Sequence, residues 1–445
     1  MSARASSRFG QLKSVVARNA ASSFVSMLWL NGLALLSIPI YIRLLGTGAW
    51  GVVAACSSLQ LLFTLIDLGF SQIVPRWVAR EAQDREALGQ YIRAFHKIYG
   101  GLALAGFLGI QACAHPLAYQ WFNVSPTQAV ELELCIRLIA FQLLFQFANN
   151  LHVGIWHGLQ LQVQANWRTC LFGTIKHALA MLILLWLGPK PAHYAAAFSV
   201  AALAELVASV IATHRRGLLV AASDARLDLK PFMSEAAMLS VGILIGLAVS
   251  QMDRVVLSRL VSVDSFGVYV VVANLALAFL ALQAPLTRAY FPVLVQDVKA
   301  TGQVNPATLR RLILGNTFVC ILPALAVCAA ADWVLRLWVH NEHFVEQGAM
   351  PLRLLLIAMC LNALYNCFYQ AIVAQGKAQL VVKVNLTCLA VGGLTIAAFH
   401  GHASLLLGGA IWLTTTFTQL TLGVAWYWYT SKSNSTSEPV VASKL

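Results

Sequence analysis

Six ionisable side chains lie inside stretches of sequence that are otherwise apolar, and their chemistry is the first clue to a function. They are Arg137, Lys176, Glu205, Asp253, Arg254 and Arg353. A charged side chain at the centre of a bilayer costs roughly 2.5 to 3.5 kcal/mol on insertion scales. Such residues therefore usually face protein or water, and they often bind a ligand or an ion.

Lys176 and Glu205 each fall about halfway along an apolar stretch, and the two stretches follow one another in the chain. Consecutive antiparallel helices would bring the two side chains together. One interpretation is functional: Lys176 attracts an anionic substrate, and Glu205 takes up a proton or a sodium ion. The alternative is a structural ion pair, retained because a lone buried charge is costly.

Asp253 and Arg254 are adjacent in the chain. On a helix they point about 100° apart, so they cannot simply pair with each other. We predict that Arg254 contacts the substrate and that Asp253 belongs to an ion-coupling site. The alternative is that one of them only caps a helix or pairs elsewhere.

The amino-acid composition indicates the class of protein to which these charged residues belong. Of 445 residues, 59% are hydrophobic and 11% are charged, whereas soluble domains have about 25% charged residues. The chain is therefore a membrane protein. Its formal charge of +13 does not indicate a nucleic-acid partner, because the basic residues form short clusters between apolar runs. The nine cysteines show no CxxC spacing and the histidines are scattered, so we expect neither a metal nor a cofactor.

A helix needs about 20 mostly apolar residues to cross the hydrocarbon core. Twelve such spans are predicted, at 20–42, 50–70, 97–118, 131–154, 167–187, 193–213, 235–258, 265–287, 312–332, 351–373, 380–399 and 403–428. Residues 71–96, which mix charges with spaced apolar residues, are predicted to form one amphipathic helix on the cytoplasmic surface. Asp67, just before it, is predicted to fix the loop after the second span.

The basic residues give the orientation, since short cytoplasmic loops retain Lys and Arg. Nearly all of them fall on one side of the predicted spans. Outside the spans, the exceptions are Arg43, Lys190, Arg259 and Arg336. Both termini are therefore predicted to be cytoplasmic.

The chain also aligns with itself at an offset of about 216 residues. Residues 43–52 (RLLGTGAWGV) match 259–268 (RLVSVDSFGV), Arg137 matches Arg353, and Asn150 matches Asn366. Each copy holds an even number of spans, so the copies are parallel repeats. The predicted fold is an all-α polytopic membrane protein with twelve transmembrane helices in two pseudo-symmetric six-helix lobes around a central cavity. The lobes are 1–222 and 223–430, followed by a disordered cytoplasmic tail, 431–445.

Four stretches carry a family resemblance: 41–81, beginning YIRLLGTGAWGV; 252–269, MDRVVLSRLVSVDSFGVY; 333–338, WVLRLW; and 352–377, ending AQGK. They resemble the polysaccharide transporter family, which includes O-antigen and exopolysaccharide flippases. That family belongs to the multidrug, oligosaccharidyl-lipid and polysaccharide exporter superfamily. The resemblance implies a V-shaped fold, alternating access and a location in the bacterial inner membrane. It also implies a polyprenyl-diphosphate-linked oligosaccharide as substrate, moved from the cytoplasmic to the periplasmic leaflet.

With such a substrate, the repeat-related Arg137 and Arg353 are predicted to hold the diphosphate, because arginine binds phosphate through paired donors. Asn150 and Asn366 are predicted to contact sugar hydroxyls. The alternatives are that both arginines reach the outer interface as anchors, and that the amides only join helices.

Two other functions are weighed. A multidrug exporter of the same superfamily usually moves cations, which the excess of basic over acidic residues in the spans disfavours. A glycan polymerase or ligase generally needs a sizeable outer loop, and the longest here, roughly 331–350, is modest. We therefore expect a transporter and not an enzyme. Its expected partners are membrane lipid, the lipid-linked oligosaccharide, a proton or sodium ion, and a glycan polymerase.

Overall fold

The computed structural model describes residues 2–63, 70–218, 230–399, 401 and 404–435. Asp67 lies outside the described residues, as does the predicted lobe boundary at 222/223. Of the tail predicted to be disordered, 431–435 continue the last helix and 436–445 lie outside the described residues.

Helices make up almost all of the described chain. They are α1 (Ser2–Leu45), α2 (Thr47–Phe63), α3 (Phe70–Arg80), α4 (Arg85–Pro116), α5 (Pro126–Gly158), α6 (Gln162–Leu187), α7 (Pro191–Arg215), α8 (Lys230–Leu260), α9 (Val263–Ala281), α10 (Ala284–Thr301), α11 (Pro306–Asn316), α12 (Leu322–Ala329), α13 (Ala331–Val339), α14 (Glu342–Ala374), α15 (Ala378–Ala398) and α16 (Leu406–Ser435). Short π-helical turns follow α4 and α11, at Leu117–Trp121 and Thr317–Ile321.

Eight of the described helical segments are long and apolar enough to cross a membrane, which makes the chain a multi-pass membrane protein. The other four predicted spans fall on α2, α5, α8 and α16. Helix α2, Thr47–Phe63, has 17 residues, and α5 and α16 carry many amide or threonine side chains. The count of twelve therefore stays a prediction.

The chain forms two compact units. Unit 1 consists of Met1–Leu244 and Ser258–Val270, and unit 2 of Ile245–Leu257 and Val271–Leu445. In unit 1, α5 packs against α2, α3, α4 and α7, and α6 packs against α1 and α7. In unit 2, α14 takes the central place, packed against α10, α12, α13 and α16.

The single amphipathic helix predicted over 71–96 is wrong. The chain instead ends α3 at Arg80 and begins α4 at Arg85. Asp84 causes the break, because it caps the start of α4. Its carboxylate accepts hydrogen bonds from the backbone N–H groups of Glu86 and Ala87, and the first N–H groups of a helix have no partner within the helix. From there α4 runs on through the predicted third span without interruption.

The apolar face of α3 also packs inside unit 1 instead of covering a membrane surface. Val74 and Val78 are buried against α5. A Cβ at Gly154 would meet Val74 at 3.1 Å, and one at Gly158 would meet the Val78 side chain at 2.7 Å. The two glycines therefore let α3 approach α5 closely, which fixes the start of α4 over the same core.

Two repeat-related glycines lie in direct contact where α2 meets the beginning of α9. A Cβ added to Gly51 would lie 2.5 Å from the Val263 carbonyl oxygen, and one added to Gly267 would lie 2.9 Å from the Gly51 Cα atom. These neighbours are backbone atoms, which cannot rotate away. The contact explains why both copies of the repeated motif carry glycine at this position.

We expect Gly51→Ala to destabilise the protein by about 1 to 3 kcal/mol, because overpacking against backbone forces the helices apart. The thermal midpoint of the purified protein in detergent measures this. Gly100→Ala is the matched control, since a Cβ at Gly100 meets nothing within 4 Å. Equal midpoints for the two variants would contradict the close approach of α2 and α9.

Candidate functional site

Lys176 and Glu205 lie on the packed helices α6 and α7 and are both half-buried. Each feels the charge of the other, but the two are not among the ion pairs of the described residues. The Lys176 ammonium instead lies 4.9 Å from the centre of the Phe198 ring, a cation–π contact. The two charges are thus neighbours without direct contact. A ligand or a proton that binds to either group would change the electrostatic interaction between them.

A third group, Asn149 on α5, approaches the Glu205 carboxyl. Its side chain is 4% exposed, and its Oδ1 atom has no hydrogen-bond partner among the described residues. The amide Nδ2 therefore makes the contact with Glu205, as a donor to the carboxylate. Three helices of unit 1 thus each contribute one polar group to this place.

Buried polar groups continue along the α5–α7 interface from Glu205. Ser209 and Thr213 follow at intervals of four residues on α7 and are 2% and 0% exposed. The Thr213 Oγ1 lies 2.8 Å from the Ser209 carbonyl oxygen and 3.0 Å from Nδ1 of His152, which is 1% exposed. The His152 ring meets that of His96 on α4, with centroids 5.1 Å apart.

Amide side chains form a second group in unit 1. Gln60 donates to Gln142 at 2.9 Å, and Gln142 approaches Gln146 at 3.4 Å. Gln146 and the predicted site residue Asn150 are exposed on α5, and Asn31 is exposed midway along the predicted first span. An amide exposed at that depth must find water or a polar ligand, since lipid offers no hydrogen-bond partner.

Arg137 forms a network near the start of α5. Its guanidinium nitrogens donate to Glu133 at 2.7 and 3.1 Å and to the Gln111 side chain at 3.2 Å. His115 approaches the other oxygen of Glu133 at 3.3 Å. Arg137 is still 42% exposed, so part of its donor fork remains available.

Arg353 is likewise paired with a carboxylate, but the partner comes from a different helix. Its guanidinium contacts Asp332 on α13 and the Cys328 carbonyl oxygen. The repeat-related arginines thus both hold a local carboxylate, one within its own helix and one from the preceding helix.

Asp253 and Arg254 are both buried on α8. Arg254 donates to Asn274 on α9 at 2.8 Å, which accounts for one edge of its guanidinium. The amides of α14 also have partners: Asn366 donates to Gln283 at 2.8 Å, and Asn362 lies 3.4 Å from Gln419. Asn362 and Asn366 are therefore each paired with another amide of unit 2.

Several of these groups were not identified as site residues from sequence: Asn31, Gln60, His152, Ser209 and Thr213. The spacing of Glu205, Ser209 and Thr213 was the available signal, because residues four apart share one helix face. Among the described residues, no cluster of three or more His, Cys, Asp or Glu side chains could hold a metal ion. The nine cysteines are all free.

Comparison with solved structures identifies the fold. An inward-facing multidrug resistance MATE family transporter of the MOP superfamily shares 16% identity over 94% of this chain and 96% of its own, with a TM-score of 0.64. The lipid II flippase MurJ, in an inward closed conformation, shares 11% over 94% and 87%, with a TM-score of 0.65. The MATE multidrug transporter DinF-BH shares 15% over 94% and 95%, with a TM-score of 0.68. At these identities the likeness establishes the fold alone.

A comparison with curated protein sequences gives no significant match. The family model described as polysaccharide biosynthesis protein matches residues 16–298, which is more than half of the chain. The resemblance seen in the sequence motifs is thereby confirmed. This multi-pass chain belongs to the polysaccharide biosynthesis protein family and has the fold of the MOP superfamily of membrane transporters.

Proposed function

We propose that the protein is a flippase that moves a polyprenyl-diphosphate-linked oligosaccharide from the cytoplasmic to the periplasmic leaflet by alternating access, driven by an ion gradient. The observation that carries the proposal is the family match over residues 16–298. The likeness to a lipid II flippase supports it, because that protein's named substrate is also lipid-linked. The proposed setting is the bacterial inner membrane, with both termini in the cytoplasm.

The charges of the described residues favour an anionic substrate. Lys176 is half-buried and has no direct carboxylate partner among the described residues, so its ammonium can attract phosphate. Arg137 and Arg353 keep part of their surfaces exposed, and a diphosphate would compete with Glu133 and Asp332 for their donor forks. We assign these three residues and Arg254 to the diphosphate.

The amides supply the complementary chemistry for sugars. Asn31, Gln146 and Asn150 are exposed at membrane depth in unit 1, where hydroxyl groups of a glycan would satisfy them. Asn366 already pairs with Gln283 and would have to release this partner to bind a sugar. We therefore assign the first contact with the glycan to Asn150 and its neighbours, and a later contact to Asn366.

The membrane potential helps such a transporter. An inside-negative potential drives a negative headgroup outward, and this movement gains about 2.3 kcal/mol per charge per 100 mV. Returning the emptied carrier requires the coupling ion, for which Glu205 and Asp253 are the proposed carboxylates.

A leaflet assay in proteoliposomes tests the function. The probe is a synthetic polyprenyl-diphosphate oligosaccharide whose terminal sugar an added, impermeant glycosidase removes. We expect the protein to expose inner-leaflet probe to the enzyme, and a cationic dye not to compete. Transport of the dye in place of the glycolipid would favour the multidrug exporter, and chain extension of the glycan would favour a polymerase.

The proposed orientation gives a separate prediction. Reporter fusions after Arg80, at the end of α3, and after Arg216, just past α7, are expected to be active in the cytoplasm. A fusion at Thr127, at the start of α5, is expected to be active in the periplasm. Paired alkaline phosphatase and fluorescent protein fusions measure this. A cytoplasmic Thr127 would invert the whole topology.

A further inference from the structure

The exposed face of α6 shows where this helix meets the membrane. Large apolar side chains at helical spacing are exposed along it: Trp167, Leu171, Ile175, Leu182 and Trp186. Only 17% of the most apolar stretch of α6 is buried, so this stripe faces lipid. Its two tryptophans are 19 residues apart, a rise of about 28 Å, which matches the hydrocarbon core of about 30 Å. Because tryptophan favours the membrane–water boundary, Trp167 places the start of α6 at one membrane interface.

Arginines from α6 and α7 meet at this end of the stripe. Arg216, just past α7, donates to the side chain of Gln164, which lies one turn before Arg168 on α6. Arg168 donates to the Ala208 carbonyl oxygen of α7 at 3.2 Å. Both contacts join α6 to α7, so the two guanidinium groups lie within about one helical turn of each other.

Arg18 on α1 adds a third positive charge to the same end of unit 1. It precedes Asn19, whose amide donates to the Gln160 carbonyl oxygen just before α6 at 3.4 Å. Further along α1, Ser23 accepts a hydrogen bond from Asn166 of α6 at 3.0 Å. The start of α6 therefore lies against this part of α1, and the Arg18 side chain is exposed beside it.

No carboxylate compensates these charges. Within the part of the chain that the structure describes, Arg18, Arg168 and Arg216 form no ion pair. Helices α1 and α6 contain no Asp or Glu. The sole acid of α7, Glu205, is eleven residues before Arg216, about 16 Å along the helix. Like charges this close repel one another, so the cluster favours an anion.

Basic residues that only set the topology need to lie outside the span, and Arg168 does not. It lies within the helix that is long and apolar enough to cross the membrane, Gln162–Leu187. Its guanidinium is held over the Trp156 ring, 4.5 Å from the centroid, and by the Ala208 carbonyl oxygen. A guanidinium that is already oriented binds phosphate through its remaining paired donors at little further cost.

We propose that the start of α6 binds the phosphate of an anionic phospholipid, held by Arg168 and Arg216, with its acyl chains along the exposed stripe of α6. Arg18 adds to the attraction, and basic pockets between helices at the cytoplasmic side are suited to such headgroups. A phospholipid is the expected occupant because it is the main component of the bilayer that the stripe faces. Under the proposed orientation, the site lies in the cytoplasmic leaflet.

The test uses lipids with brominated acyl chains, which quench a tryptophan that they touch. The full-length protein is placed in phosphatidylcholine nanodiscs that contain a minor fraction of brominated phosphatidylglycerol. The quenching of Trp167 is the difference between the wild type and Trp167→Phe. We expect phosphatidylglycerol to associate about 25-fold more strongly than brominated phosphatidylcholine, because each of two arginines near a membrane surface contributes about fivefold.

The double variant Arg168→Gln/Arg216→Gln is expected to lose this preference, so that both brominated lipids quench Trp167 equally. The matched control is Arg310→Gln/Arg311→Gln. It removes two exposed arginines of α11 in unit 2, and the wild-type preference is expected to remain.

Equal quenching by the two lipids in the wild type would overturn the site. Should the double variant fail to fold, Arg216→Gln alone decides, because this exposed side chain contacts only Gln164 in the described chain. It is expected to lower the preference about fivefold, and an unchanged preference would refute the proposal.

A competition measurement separates the phospholipid from the cargo of the proposed function. Unlabelled phosphatidylglycerol is expected to displace the brominated lipid at least as well as a synthetic polyprenyl diphosphate does. Stronger displacement by the polyprenyl diphosphate would overturn the choice of ligand. Neither a glycan nor an ion gradient is present, so the lipid site can be confirmed or refuted whether or not the protein is a flippase.

Discussion

Neutralising either Glu205 or Lys176 alone, as Glu205→Gln or Lys176→Met, is expected to reduce glycolipid export by roughly a hundredfold. Each change leaves the other group without its nearest opposite charge, and it removes either the carboxylate proposed for the coupling ion or the ammonium proposed to attract phosphate. Export is measured in proteoliposomes or as surface glycan in cells. Matched controls are Glu131→Gln on the exposed start of α5 and Lys190→Met before α7.

The double variant separates the two roles considered for this pair. A structural pair loses its penalty when both charges are removed together, so export would return. A functional pair stays inactive, because neither the coupling ion nor the phosphate is bound. We expect the double variant to remain inactive, since the two groups make no direct ion pair in the structure. Recovery to near-normal export would refute both the coupling role of Glu205 and the substrate role of Lys176.

Replacing both Arg137 and Arg353 by lysine is expected to reduce export by roughly tenfold or more. Lysine keeps the charge but lacks the planar fork that binds a diphosphate through paired donors, and each lost charge-assisted hydrogen bond is worth about 1.5 to 3 kcal/mol. The steady-state rate of glycolipid export at subsaturating substrate measures the effect.

Arg336→Lys provides the control for the double lysine variant. Arg336 also holds a carboxylate, Glu342, at 2.7 Å, but it is assigned no substrate contact. Normal export by the double lysine variant would mean that Arg137 and Arg353 only anchor their helices through Glu133 and Asp332. The diphosphate assignment would then be abandoned.

The positions of the helices followed well from the sequence, because apolar runs of membrane length leave few alternatives. Every predicted span overlaps at least one described helix, and the spans at 265–287 and 312–332 each run over more than one. The break at residues 81–84 was missed. A single capping carboxylate, Asp84, overrides an amphipathic pattern that continues on both sides of it.

The sequence indicated the candidate charged residues but not their contacts. Equal depth on consecutive helices correctly placed Lys176 near Glu205, yet depth says nothing of the distance between side chains. The contacts of His152 with Thr213 and His96 were missed because they join α4, α5 and α7, and His152 and Thr213 are 61 residues apart in the chain. One sequence without its relatives does not reveal such pairings.

The pairing of both arginines with carboxylates illustrates the same limit. Glu133 is one turn before Arg137, so the helical repeat pointed to this contact. Asp332 lies on α13 and contacts Arg353 on α14, 21 residues later in the chain. No local sequence pattern indicates a contact over that separation. The repeat predicts equivalent arginines but not equivalent partners.

The most direct test of the proposed function is native mass spectrometry of the lipids that copurify with the protein. A polyprenyl-diphosphate oligosaccharide bound one to one is the expected result, and its signal should weaken in the double lysine variant but not in Arg336→Lys. The proposed function would be contradicted if only phospholipids copurified and the protein bound a cationic drug instead of the glycolipid.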